Sequence, residues 1–239
     1  MADGKIEILA DPEALAQRAA EWVVERALAT SGRFAFNLSG GSTPKRMYQL
    51  LAQVPLRDRM PWDRVHLFWG DERFVPHDHP ESNFRMANEA MIAHVSIPPA
   101  QVHGVPGEGD PDEAARAYEA TLKAFYGADT LDPSRPLFDV TLLGLGEDGH
   151  TASLIPGTTA LDETRAWVTT VRGARPELRI TMTYPVLDSS RAVAFLVAGE
   201  AKRAMLARLR QGDRTLPAAR VKPVGELLFF ADRAAAGPA

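Results

Sequence analysis

Leu142-Leu143-Gly144-Leu145-Gly146-Glu147-Asp148-Gly149-His150-Thr151-Ala152-Ser153 joins an apolar run to a glycine-rich, ionisable loop. Val140-Thr141-Leu142-Leu143 has the β-branched, apolar composition of a buried strand. Glycines 144, 146 and 149 free the backbone to turn sharply and to approach a ligand. A carboxylate, Asp148, and an imidazole, His150, thus stand at the C-terminal end of a strand. Open α/β sheets bind ligands in the crevice beyond such ends, and an acid beside an imidazole there points to proton transfer. The plainer alternative is a histidine satisfied by backbone in a glycine turn. Asp148 favours the functional reading, because a carboxylate fixes an imidazole's tautomer and raises its basicity.

Outward from this loop, period and punctuation predict strands over 6–9, 34–38, 65–69, 137–143, 166–171, 178–182, 192–197 and 226–230. Helices are expected over 13–29, 45–53, 82–92, 111–126 and 200–210. Asp11-Pro12 reads as an N-cap with proline at the first helical position, and Ser82 as a second cap. Strands and helices alternate, which argues for an α/β fold: a mostly parallel twisted sheet with helices on both faces. No repeat or linker interrupts the 239 residues, so a single domain over 1–239 is expected, with 234–239 a frayed tail.

Composition bounds the function. The formal net charge is −4, and no block of basic residues marks a nucleic-acid partner. The absence of cysteine excludes disulfides, thiolate nucleophiles and Cys-ligated zinc. No stretch approaches the ~18 apolar residues of a membrane span, and no signal-peptide core follows Met1. The expectation is a soluble cytoplasmic protein without a membrane partner.

Three more stretches carry candidate chemistry. Ser39-Gly40-Gly41-Ser42-Thr43-Pro44 turns from a strand into a helix. It lacks the Gly-Lys-Ser/Thr ending of a Walker A loop, yet paired glycines, three hydroxyls and a helix N-terminus suit an anion. A tight turn with Thr43 as N-cap and Pro44 at N1 accounts for part of the pattern only. Asp71-Glu72-Arg73 follows another strand, and Arg73 offers a guanidinium fork for a phosphate or an oxyanion. Lys202 falls in the first turn of the 200–210 helix, where a cation opposes the dipole unless an anion is bound. Arg179 and Lys202 either face the cleft or are solvated charges. Gly144-x-Gly146-x-x-Gly149 matches the dinucleotide fingerprint as a pattern, but Pro156-Gly157 limits any following helix to about two turns and no acid closes the next strand. His77-Asp78-His79 is a poor metal site, because three consecutive loop residues rarely give three tetrahedral ligands.

Taken together, 39–44, Asp71-Glu72-Arg73-Phe74-Val75-Pro76 with Glu81-Ser82-Asn83, Gly146 to Leu154, Arg179 to Thr183 and Gly199-x-x-Lys202 resemble the 6-phosphogluconolactonase family in order and spacing. That family is similar to glucosamine-6-phosphate deaminases. Their Asp-Gly-His continues to a catalytic glutamate, and a tyrosine follows their Asp-Glu. This chain has Thr151 to Gly157 without glutamate, and Arg73. Ile155 stands where the lactonases are expected to have Phe. The resemblance implies a Rossmann-like three-layer sandwich of the sugar-phosphate isomerase type. It implies hydrolysis of 6-phosphoglucono-1,5-lactone, a small sugar-phosphate substrate, no metal and no cofactor. A monomer or weak homodimer is expected. In that setting His150 is the expected base and acid, with Asp148 orienting it. Arg73, the amides near Gly146 or Gly149, or both, would hold the oxyanion. Asp71 would orient Arg73 or meet sugar hydroxyls. Ser39, Gly40, Gly41, Ser42 and Thr43 would grip the phosphate with Lys202 and Arg179. Two other classes fit the same loops: a sugar-phosphate deaminase and a non-catalytic sugar-phosphate sensor.

Overall fold

The computed structural model describes residues 4–237. Among the described residues there are nine strands: β1 (Lys5–Leu9), β2 (Phe34–Leu38), β3 (Val65–Trp69), β4 (Asp71–Arg73), β5 (Val140–Gly144), β6 (Val168–Val171), β7 (Arg179–Met182), β8 (Ala192–Val197) and β9 (Glu226–Asp232). The helices are α1 (Pro12–Ala29), α2 (Ser42–Leu51), α3 (Leu56–Arg59), α4 (Asn83–Ala90), α5 (Pro111–Tyr126), α6 (Tyr184–Asp188), α7 (Arg203–Arg210) and α8 (Arg233–Ala236). Asp11 and Ser82 cap α1 and α4 through their side chains, as the sequence predicts. None of these helices is long and apolar enough to cross a membrane.

Six strands form one sheet in the order β1-β9-β8-β5-β2-β3, and every pairing in it is parallel. Every residue of β2 and β8 is buried, so both faces of the sheet are covered. At β3 the two faces are explicit. Trp69 packs on Phe84 of α4, with ring centroids 5.1 Å apart, and the neighbouring Phe68 packs on Phe125 of α5 at 4.9 Å. On β9, Phe230 meets Trp22 of α1 at 5.6 Å, while Phe229 stacks on Phe195 of β8. Burying one such ring contributes ~1.5–3 kcal/mol. From β2 the chain goes outward to β3, whereas from β5 it goes the other way to β8. The order reverses between β2 and β5, and a crevice opens beyond their carboxyl ends.

The structure departs from the sequence expectation in several places. The strands expected over 166–171 and 178–182 do not join the main sheet: β6 and β7 pair antiparallel with each other, and β7 with β4, as a second sheet. No helix lies between β6 and β7, so a parallel crossover is not available to them. Asp71-Glu72-Arg73, expected as a bare strand end, is itself the strand β4. Helix α2 begins at Ser42, before the expected Lys45. Gly41 stands at its N-cap with φ 110°, so Thr43 is not the cap and Pro44 lies inside the first turn. The tail expected to fray from Ala234 forms α8 instead. The Asp232 carboxylate accepts from the Ala235 amide at 2.7 Å, Arg203 Nε donates to the Ala234 carbonyl at 3.0 Å, and Ala235 is buried. Residues 238–239 of that tail lie outside the described residues.

Candidate active site

Beyond the ends of β2 and β5 lies a cleft of about 310 Å³. Its walls are the 39–44 turn, Asp71 and Arg73 of β4, the Gly144–Gly146 turn with His150, Arg179 of β7, and Lys202 before α7. The structure thus brings together on one cleft Ser39 to Thr43, Asp71, Arg73, His150, Arg179 and Lys202, while Asp148 stands behind His150.

The turn after β2 is held from beneath. The buried Tyr48 hydroxyl donates to the Ser39 carbonyl at 2.8 Å and accepts from the Ser39 amide at 3.0 Å. Burial pushes this phenol well above its ordinary range, so it stays protonated and able to donate. A side chain at Gly40 would collide with the Asn83 amide, which itself donates to the Asp71 carbonyl at 3.0 Å. No side chain caps the N-terminus of α2, which opens on the cleft at Ser42. Lys202 lies in a 3-10 turn, Glu200–Lys202, and occupies the N-cap position of α7 rather than the first turn of one longer helix. Its ammonium is 3.8 Å from Glu147. Arg179 is 12% exposed; its Nε is buried without a hydrogen-bond partner, and its terminal nitrogen meets Glu177 only at 3.4 Å. Three elements therefore turn cationic or amide groups toward one volume, which suits an anion.

The opposite wall carries the ionisable pair. His150 Nδ1 lies 2.5 Å from Asp148 Oδ1, and the same oxygen accepts from the His150 amide at 3.1 Å. Arg175, on the loop between β6 and β7, donates to the other oxygen of Asp148 at 2.5 Å. Partial burial pushes the Asp148 carboxyl up, but the hydrogen bonds from the His150 ring and the Arg175 guanidinium prevail and hold it well below the usual carboxylate range. An ionised Asp148 accepts a hydrogen bond from the Nδ1 N–H, which leaves the lone pair on Nε2. A side chain at Gly146 would strike the imidazole, so the glycine is what lets the ring lie against the backbone.

Expectation and geometry part at the loop amides. The Gly146 amide donates to the His150 carbonyl at 2.8 Å and the Gly149 amide to the Gly146 carbonyl at 3.0 Å. Both are engaged within the loop and neither is free for an oxyanion. Arg73 stays available: one terminal nitrogen donates to the Glu81 carbonyl at 2.6 Å, and its other donors have no partner among the described residues. Asp71 is buried and accepts from the Ser153 hydroxyl at 2.6 Å, tying β4 to the His150 loop.

Glu72, which the sequence reading left without a role, is buried and accepts from the amides of Arg73, Asn83 and Phe84 and from the Ser82 hydroxyl. Burial pushes its carboxyl up against those donors. It anchors β4 to the start of α4. Tyr48 sits on a readable helix and Glu72 on an unexpected strand, but nothing in their spacing marks them; Arg175 carries no signal at all. Gly144-x-Gly146-x-x-Gly149 opens no helix, which removes the dinucleotide reading. His77 stacks on Phe84 with centroids 4.0 Å apart, and His79 accepts from the Glu81 amide, so these rings serve packing and a turn. Among the described residues no group of three or more His, Cys, Asp or Glu is placed to hold a metal ion.

A larger groove, about 500 Å³, opens at the other edge of the sheet between Arg26, Arg33, Arg135 and Arg191. It has none of the loop glycines and neither member of the imidazole–carboxylate pair.

Comparison with known proteins agrees with the cleft's sequence pattern. The family described as glucosamine-6-phosphate isomerases/6-phosphogluconolactonase matches residues 10–229. A 6-phosphogluconolactonase of Nostoc sp. is 40% identical over 96% of this chain and 96% of its own. The solved structure of 6-phosphogluconolactonase from Thermotoga maritima superposes with a TM-score of 0.82 at 30% identity, over 96% of this chain and all of that one. The Trypanosoma brucei 6-phosphogluconolactonase structure gives 0.80 at 28% identity, over 99% and 98%. The chain belongs to the glucosamine-6-phosphate isomerase/6-phosphogluconolactonase family.

Proposed function

We propose that this chain is a single-domain 6-phosphogluconolactonase, which converts 6-phospho-D-glucono-1,5-lactone and water to 6-phospho-D-gluconate in the oxidative pentose phosphate pathway. The observation that carries the reading is the His150–Asp148 pair, 2.5 Å apart, facing a cleft whose far wall gathers Ser42, Arg179 and Lys202. The protein is read as cytoplasmic, a monomer or weak homodimer, with no nucleic-acid or membrane partner and no cofactor.

The chemistry follows from the groups present. The phosphate sits on the 39–43 turn between Arg179 and Lys202, and this remote grip orients the lactone against His150. Nε2 of His150 takes a proton from water as the water oxygen bonds to C1. The carbonyl oxygen becomes an oxyanion and Arg73 stabilises it. When the intermediate collapses, the C1–ring oxygen bond breaks and the imidazolium returns its proton to the ring oxygen. The new carboxylic acid then ionises to solvent. Each step runs on protein groups alone. Asp148 holds the tautomer, and Asp71, fixed by Ser153, faces the sugar hydroxyls or steadies Arg73.

The test is the hydrolysis rate of freshly generated lactone above its spontaneous rate, for wild type beside His150→Ala. Loss of roughly 10²–10⁴ in kcat is expected. A variant that keeps wild-type turnover would sink the acid–base assignment. A wild type with no excess rate would move the reading to ammonia release from glucosamine 6-phosphate.

A further inference from the structure

Asp148 uses its two oxygens on two different partners. Oδ1 faces the His150 ring, and Oδ2 accepts from Arg175 Nη2 at 2.5 Å. The Asp148 side chain is 37% exposed, so without Arg175 its outer oxygen would be open to water and the carboxylate held through Oδ1 alone, by the His150 amide and ring. Arg175 is no free surface arm either: its Nη1 donates to the Ala174 carbonyl at 3.1 Å, and its side chain is 34% exposed. The loop that carries it is tied down on both sides. Arg172 pairs with Asp112 of α5 at 3.0 Å, and Glu177 meets Arg179 at 3.4 Å.

We propose that Arg175 is the positioning residue of the His150–Asp148 pair, fixing the carboxylate so that one oxygen is always presented to Nδ1. This rests on reading His150 as the acid–base group. A carboxylate shared with a guanidinium also stabilises an imidazolium less than an unshared one does. Arg175 therefore lets His150 give up at the ring oxygen the proton it took from water. The other charges facing the imidazole's cleft are Arg73 and Asp71 from β4, Arg179 from β7, and Lys202 with its neighbour Glu147. Arg179 stands four residues further along the chain and belongs to the anion wall, so the two arginines separate by kinetic signature: Arg175 acts on turnover and Arg179 on binding.

The experiment compares wild type, Arg175→Met and Arg175→Lys by kcat, KM and the pH profile. The His150 ring is also titrated by NMR, with its signal assigned by loss in His150→Gln. Arg175→Met is expected to lower kcat by about tenfold to a hundredfold with KM within about twofold. The His150 midpoint and the acid limb of kcat/KM should rise by roughly half a unit to one unit, and Arg175→Lys should recover most of both. An Arg175→Met variant that keeps kcat and leaves the ring titration in place overturns the proposal. The titration needs no turnover. A shifted midpoint in a protein without lactonase activity would therefore support the positioning role while discarding the reaction.

Discussion

The two edges of the parallel sheet each carry arginines, and they use them differently. At the carboxyl edge, Arg73 and Arg179 come from two strands and meet a cleft in which Arg179 keeps a buried Nε without a partner, while Arg175 backs the cleft through Asp148. At the amino edge the guanidiniums are absorbed by the fold. Arg26 pairs with Glu226 at 2.9 Å, Arg191 with Asp139 at 3.2 Å, and Arg64 donates to the carbonyls of Ala27, Thr30 and Gly32 at the end of α1. Arg33 lies over Phe125 at 4.5 Å and Arg135 over Tyr126 at 4.0 Å. The larger cavity is thus the one without convergent chemistry. Positive charge alone does not distinguish a site from a surface; a buried donor left without a partner does.

That contrast can be broken from either side. Ser42→Ala combined with Lys202→Ala removes two groups of the anion wall, and KM for the phosphorylated lactone should rise by roughly tenfold to a hundredfold, about 1.4–2.8 kcal/mol for the pair. An unchanged KM would mean that the phosphate lies elsewhere. At the groove, Arg33→Gln with Arg135→Gln should leave kcat and KM within about twofold and lower stability by about 1 kcal/mol, the worth of two exposed cation–π contacts. A collapse of turnover there would erase the distinction between the two edges.

The smallest effect belongs to the packing behind the groove. His103 stacks on Phe68 at 4.5 Å and shares a 3.1 Å contact with His66. Burial, and then the charge of His66, pushes its imidazole down to about 4. The unfolded chain binds this proton more readily, so the stabilisation is complete above ~6.5 and is lost as pH falls through about 4. His103→Phe should therefore lose less melting temperature between pH 7 and pH 5 than wild type does. Equal losses would put the acid sensitivity on other groups.

Residues on long apolar strands were legible from the sequence, because β2, β5 and β8 are buried along nearly their whole length and read as continuous hydrophobic runs. β4 was not. Its three residues are all charged, and only the distant β7 makes them a strand. The cleft loops were legible because glycine, hydroxyl and ionisable residues cluster at strand ends, where a solvated turn does not require them. The same loops hid which amides are free, since the internal bonds of Gly146 and Gly149 depend on backbone geometry. Arg175 was invisible for a related reason: a single arginine in a polar loop gains meaning only when a carboxylate from another segment reaches it.

The contact between Gly40 and Asn83, and the hydrogen bond from Ser153 to Asp71, make the loops of this protein interlocking parts. Each loop is shaped by a residue at the start of another element, Asn83 of α4 or Asp71 of β4. A segment taken from a relative would keep its form here only if its counterpart travelled with it: residue 40 with residue 83, and residue 153 with residue 71. Changing this enzyme's substrate range by exchanging loops is therefore a problem of matched pairs, in which the unit of inheritance is the contact.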